Sequence, residues 1–139
     1  MRSITLDSNI YVSALEFGGK PMALLQSALD GEVDVAISQP ILDETLRVLR
    51  DKFSWSRDDL RGAEATIRAA THVVTPTMKL NVVESDPDDN KIVECAVESG
   101  SEAIVTHDKD LLRMKEYQGI RMVKVLDFLR EGPEPGRRV

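Results

Sequence analysis

Arg2-Ser3-Ile4-Thr5-Leu6-Asp7 near the N-terminus and Ala103-Ile104-Val105-Thr106-His107-Asp108 about a hundred residues later decide the fold. Each is a short run of β-branched and aliphatic residues that reads as a buried strand and closes on a polar turn carrying an aspartate. If both strands are parallel members of one α/β sheet, their carboxyl ends lie on the same edge, where such sheets usually hold ligands. Asp7 and Asp108 are then expected on one rim.

Outward from these two strands, strand-like and helix-like stretches alternate. The order implies an α/β fold of three layers, α/β/α, around a central, mainly parallel sheet of about four or five strands. Asp7-Ser8-Asn9 offers cap chemistry for a short helix over Ile10 to Leu15, which Phe17-Gly18-Gly19 breaks. Pro21 suits the first turn of a helix over Met22 to Leu29, ended by Gly31. Val33 to Ile37 reads as a strand, Ser38 as the cap of a helix through Leu49, Asp58 to Ala70 as an amphipathic helix, and His72 to Thr75 as a short strand. The polar stretch up to Ser85 is a connection without an assigned structure. Asp86-Pro87 opens a helix to Ser99 that Gly100 stops; a short helix at Leu111-Leu112, a strand over Arg121 to Val125 and a last turn at Asp127 to Arg130 follow. Residues 1–130 are expected to form one domain and 131–139, rich in Gly and Pro, a disordered tail.

A chain of 139 residues fits one domain with a real core. With 42% hydrophobic but only 4% aromatic residues, aliphatic side chains must do most of the packing. The net charge of −6 argues against a protein that coats nucleic acid through a general basic surface. It does not exclude a nuclease, whose bound cations invert the local field. A single cysteine excludes an internal disulfide, no apolar run approaches the roughly 20 residues that span a bilayer, and no signal segment opens the chain, so a soluble cytoplasmic protein with no membrane association is expected.

Helical phase, about 100° per residue, separates acids that composition cannot. In the Pro40 helix, Leu42, Leu46, Leu49 and Phe53 form an apolar stripe. Glu44 falls between Ile41 and Val48 on a second, partly covered face, whereas Asp43 lies near Arg47 and Arg50 on a face that reads as solvated and ion-paired. In the Pro87 helix, Asp89 is centred on the face of Ile92, Val93, Ala96 and Val97, and Asp88 projects to the side. Asp86 is a good N-cap. Taken singly, each acid also has an ordinary reading: Asp7, Asp89 and Asp108 as helix caps or first-turn acids, Glu44 as a surface charge. Taken together, Asp7, Glu44, Asp89 and Asp108 converge without evident basic partners, and converging carboxylates call for cations. An oxygen-only donor set suits Mg²⁺ or Mn²⁺ rather than zinc. Such ions serve phosphodiester hydrolysis.

Four segments, Ile4-Thr5-Leu6-Asp7-Ser8-Asn9, Ile41-Leu42-Asp43-Glu44, Asp86-Pro87-Asp88-Asp89-Asn90-Lys91 and Val105-Thr106-His107-Asp108-Lys109-Asp110-Leu111-Leu112, resemble in order the successive motifs of PIN-domain ribonucleases. The third and fourth look especially like the VapC-like branch, the toxins of toxin–antitoxin pairs. The resemblance implies that Asp7, Glu44, Asp89 and Asp108 form an acidic metal site, that Asn9 and Thr106 support it by hydrogen bonds, and that Asp110 joins through water. It further implies hydrolysis of RNA by a metal-activated water, with Asp7 or Glu44 as candidate proton acceptor, and an antitoxin that masks the site. A homodimer through apolar positions on the Met22 and Leu60 helices is a further expectation, although burial within one chain explains them equally.

Other residues have plainer readings. Lys91, Lys109 and Arg113 are candidate phosphate contacts, with solvated helix faces as the default. His107 points away from Thr106 by strand alternation. Ser8 and Ser13 lack a histidine base, so capping or packing suits them better than nucleophilic attack. Cys95 falls off the core stripe of its helix, and Trp55 is expected to pack a helix junction. A receiver domain would need an acidic pair after the first strand, and a haloacid-type phosphatase would need aspartate where Asn9 stands. The remaining alternatives are a catalytically degenerate PIN domain acting as a scaffold and a housekeeping RNA-processing nuclease.

Overall fold

The computed structural model describes residues 1–132; of the expected tail over 131–139, Glu131 closes the last helix and 133–139 lie outside the described residues. Six strands form one sheet, β1 (Ser3–Leu6), β2 (Asp34–Ser38), β3 (His72–Val74), β4 (Ala103–Val105), β5 (Glu116–Tyr117) and β6 (Ile120–Val123), in the order β3-β2-β1-β4-β6-β5. All pairings are parallel except β5 with β6. The helices are α1 (Ser8–Phe17), α2 (Gly19–Leu29), α3 (Gln39–Phe53), α4 (Arg57–Ala70), α5 (Asn90–Ser99), α6 (Lys109–Met114) and α7 (Val125–Glu131), with one 3₁₀ turn at Pro87–Asp89. The α/β/α architecture is therefore the expected one. The sheet has six strands rather than four or five because Gln118 (φ 49°) and Gly119 (φ 82°) make the two-residue positive-φ turn that right-twisted hairpins favour, adding the short β5.

The chain moves from β1 to β2 to β3 along one side, then returns to place β4 on the other side of β1. Right-handed crossovers therefore put α1 to α4 on one face of the sheet and α5 on the opposite face. Accordingly α5 packs across β1, β2, β3 and β4, while α1 and α7 both pack against α2. Ile4, Leu6, Ile37, Ile92, Ile104 and Val105 are fully buried between the layers. The reversal at β1 and β4 opens a crevice at their carboxyl ends.

The stretch preceding the Pro87 turn carries no regular structure, yet its backbone is pinned along α5. Thr77 N–H donates to Glu98 (2.8 Å), Leu80 N–H to Glu94 (2.8 Å), and Val82 and Val83 N–H both to the Asn90 side-chain oxygen (2.9 Å each). The acceptors recur every four residues, one per turn of a single helix face.

Three local expectations are corrected. Cys95 is fully buried in the core against Thr5, since its face of α5 meets the sheet. Burial pushes its thiol up to about 11, which leaves it protonated and inert. Ser38 occupies the cap position of α3 but its side chain caps nothing and faces Cys95 instead. Asp43 accepts from Gln39 (2.8 Å), and the arginines assigned to it pair elsewhere, Arg47 with Glu44 and Arg50 with Asp51. Trp55 does lie at a helix junction, packed near Leu49 and Ala63, with its indole N–H on Glu16. Among the described residues, no helix is long and apolar enough to cross a membrane.

Candidate active site

Asp7 and Asp108 leave adjacent strands: Leu6 is in register with Val105, and Asp7 N–H donates to Val105 O (2.9 Å). The 3₁₀ turn before α5 brings Asp89 over the same crevice. Carboxylate oxygens of Asp7, Asp89 and Asp108 lie within 4.8 Å of one another. Asp7 is 3% and Asp89 9% exposed. Burying three acids together is unfavourable unless a proton or a cation compensates.

The capping readings separate the three. Asp7 stands at the start of α1 without a side-chain cap bond, and Asp89 likewise caps nothing, because Asp86 takes that role by accepting from Asp88 N–H (3.2 Å). Asp108 does cap α6, accepting from Asp110 N–H at 2.7 Å, and still presents an oxygen to the cluster. Among the described residues, Asp89 Oδ2 is buried with no donor on it and with the Asp108 carboxyl as its neighbour. A buried carboxylate oxygen left unpaired beside two further carboxylates is the donor arrangement of a cation site, and an all-oxygen set fits Mg²⁺ or Mn²⁺.

Several side chains hold the acids in place. Thr106, fully buried, donates to Asp7 Oδ2 (2.7 Å) and accepts from Asp108 N–H (2.9 Å), linking the two strand ends. Asn9 reaches Asp7 Oδ2 at 3.4 Å and accepts from His107 N–H at 3.5 Å. Both side chains thus reach Asp7. Asp110 pairs with the exposed Arg113 (3.1 Å), and Lys109 and His107 are exposed at the rim.

Glu44 stands outside the group of three. One oxygen accepts from Ser8, whose hydroxyl also lies 3.3 Å from Asp7 Oδ1; the other accepts from Lys91 Nζ at 3.0 Å, with Arg47 at 3.6 Å. Lys91 also donates to Asp88 O (2.9 Å), so its ammonium is engaged inside the protein rather than offered to a substrate. Glu44 therefore departs from the expectation of acids without basic partners: it is an ion-paired neighbour joined to Asp7 through Ser8. Sequence reasoning gave Ser8 a cap or packing role and did not pair Lys91 with Glu44. Ser8's position directly after Asp7 was the available signal; the Lys91 contact joins two helices 47 residues apart and has no local one.

The electrostatics differ accordingly. Burial, the adjoining Asp108 carboxyl and the charge of Asp7 push Asp89 up to about 8. Burial also raises Asp7, against the Thr106 hydrogen bond, with the charges of Asp108 and Glu44 adding to the rise. Burial acts to raise Glu44 as well, but hydrogen bonds from Ser8 and Lys91 and the Lys91 charge outweigh it and hold Glu44 below its ordinary value.

Two outcomes follow. Because Asp89 binds its proton more tightly folded than unfolded, its contribution is favourable at low pH and is lost as pH rises from about 4 through about 8. In metal-free buffer, urea midpoints should fall across that window, and Mn²⁺ binding at pH 7 should expel about one proton, read by titration calorimetry in buffers of different ionisation enthalpy. A flat midpoint with no proton release would contradict the raised Asp89. Lys91→Met should lower metal-free stability by about 1–2 kcal/mol by removing the closest cation from the half-buried Glu44 and leaving it only Ser8 and the more distant Arg47, and Mn²⁺ should restore more stability to the variant than it adds to the wild type. Equal urea midpoints for the two proteins without metal would mean that the pair contributes nothing.

Comparisons with known proteins agree with this architecture. A family model described as a PIN domain matches residues 3–110. Among solved structures, the chain is similar to one in a crystal structure of VapBC2 from Rickettsia felis bound to a DNA fragment from their promoter, with a TM-score of 0.64 and 14% identity, covering 88% of this chain and 98% of that one. No curated protein matches it in sequence.

Proposed function

Because this chain belongs to the PIN-domain family, we propose that it is a divalent-metal-dependent endoribonuclease that hydrolyses RNA phosphodiester bonds at the Asp7, Asp89 and Asp108 centre. The observation that carries this reading is the meeting of those three carboxylates at the β1 and β4 switch point, with one buried oxygen unpartnered. Asp7, Asp89 and Asp108 would hold Mg²⁺ or Mn²⁺, which supplies Lewis-acid stabilisation of charge on the phosphate oxygens and makes a water easier to deprotonate.

The chain's own residues do the rest. Thr106 and Asn9 keep Asp7 Oδ2 oriented, and the α6 amide does the same for Asp108. Ser8 connects Asp7 to Glu44, which Lys91 keeps ionised and fixed at the edge of the centre. Glu44 is thereby placed to take a proton from the attacking water, relayed through Ser8, without being a ligand. No side-chain nucleophile is required.

The toxin half of a toxin–antitoxin pair is the more specific reading. It is supported by the motif resemblance and by a fold shared with a chain of the R. felis VapBC2 structure, and its partner would be an antitoxin that covers the acidic rim. A cytoplasmic location, a homodimer and the 1–130 domain boundary belong to the same proposal. The test is cleavage of a mixed RNA pool with and without Mg²⁺ or Mn²⁺, by the wild type and by Asp7→Asn. Metal-dependent cleavage by the wild type alone is expected; equal, metal-insensitive behaviour of the two proteins would favour the scaffold reading.

A further inference from the structure

We propose that the groove between α3 and α4 is a track for the RNA backbone, its phosphates held by Arg47, Arg50, Arg57 and Arg61. This inference rests on the ribonuclease reading and adds to it where the substrate runs.

The groove has a volume of about 410 Å³, and the four arginines line it with Leu46 and Leu60. It starts beside the acidic centre. Arg47 lies one turn along α3 from Glu44, with Nη2 3.6 Å from its carboxylate. α3 and α4 pack together across the short connection at Ser54, Trp55 and Ser56, and Arg47 and Arg50 of the first helix share the groove with Arg57 and Arg61 of the second. Arg57 and Arg61 are four residues apart, about 6 Å of helix rise, so two tiers of guanidinium lead away from the site.

Charge distribution supports an anionic occupant. Gln39 to Ala70 contains six Lys and Arg against six Asp and Glu, so all of the net −6 resides elsewhere in the chain. Within the groove the acids are already engaged, Asp43 by Gln39 and Glu64 by Arg68. Among the described residues, Arg57 and Arg61 have no carboxylate within ion-pair distance. Arg50 holds Asp51 in an exposed pair, which is worth little and exchanges readily for phosphate, and Arg47, itself exposed, stands 3.6 Å from a Glu44 whose closer cation is Lys91. Guanidinium forks suit phosphate oxygens, and the apolar flanks of Leu46 and Leu60 leave room for ribose or base.

The experiment is fluorescence anisotropy of a fluorescein-labelled, mixed-sequence single-stranded RNA with the full chain in EDTA, over a salt series. Arg57→Gln with Arg61→Gln should weaken low-salt affinity by about tenfold or more. The double variant should also flatten the log–log salt dependence by about 1.4, two lost phosphate contacts at about 0.7 each. Lysine at both positions should keep the wild-type slope, and Lys79→Gln, at an exposed position on the stretch that runs along α5, should change little. Unchanged affinity and slope in the double variant, an equal loss in Lys79→Gln, or no wild-type binding at low salt would overturn the track. So would retained RNA binding with loss of binding to a polyglutamate peptide, which would give the groove to an acidic protein. Binding without metal-dependent cleavage would remove the nuclease reading alone, whereas cleavage with the double variant's binding unchanged would remove the track alone.

Discussion

Asp89→Asn is expected to reduce metal-dependent RNA cleavage by at least about 10³-fold while making the metal-free protein harder to unfold at pH 8. The first effect follows from replacing an anionic donor with a neutral amide. Weakening the charge stabilisation at the reacting phosphate by about 4 kcal/mol corresponds to three orders of magnitude in rate. The second follows from the same burial that makes the site: Asp89 is pushed up to about 8, so folding at that pH forces a carboxylate to ionise among other carboxylates or to keep a proton it would otherwise release. An amide carries neither burden and can donate toward Asp108. Single-turnover cleavage and urea unfolding in EDTA, at pH 5 and pH 8, read the two effects separately. The stability gain should be small at pH 5 and larger at pH 8, with Mn²⁺ stabilising the wild type and scarcely affecting the variant. A variant that loses both activity and stability would mean that Asp89 is a structural residue.

Thr106→Val should be the second large effect, because one hydroxyl serves both strand ends. It donates to Asp7 Oδ2 and accepts from Asp108 N–H, and it is completely buried. Valine keeps the shape and β propensity but leaves that amide without a partner, at a cost of about 1–3 kcal/mol. Asp7 also loses the hydrogen bond that opposes its raised pKa. Outer contacts that orient metal ligands typically contribute 10–100-fold in affinity or activity. Mn²⁺ affinity should therefore fall by about that factor, and Thr106→Ser, which keeps the hydroxyl, should recover most of it. If serine behaves like valine, the methyl packing rather than the hydrogen bond is what matters.

Much of this was legible in the sequence because it depends on short-range chemistry. The strands ending at Asp7 and Asp108 announced themselves by composition, and parallel pairing then put both acids on one rim, as the register of Leu6 with Val105 shows. Helical phase singled out Asp89, whose side chain faces the cluster while Asp86 caps the turn. The family resemblance carried by the four ordered motifs is borne out by the match over residues 3–110. What was not legible depends on contacts between distant elements. Phase placed Glu44 on a half-covered face but could not show that Lys91 of α5 neutralises it. A single apolar stripe leaves Cys95 outside the core, whereas α5 lies across four strands and buries a broader arc that includes it. The β5–β6 hairpin escaped because Gln118 adopts a backbone conformation that its residue type seldom signals.

The strand order has a consequence for synthesis. β1 is made first, yet one of its two neighbours, β4, is made nearly a hundred residues later, and it is to Val105 O of that strand that Asp7 N–H donates. Closing so long a loop is slow, and it must await the synthesis of β4. While β1, β2 and α1 to α4 are already on hand, Asp7 has neither Thr106 nor Asp108 beside it, and the crevice has only one wall. In a nascent chain of this topology the acidic centre therefore comes into existence only once β4 has been made and has docked beside β1, and a chain stopped short of Asp108 carries an incomplete set of acids.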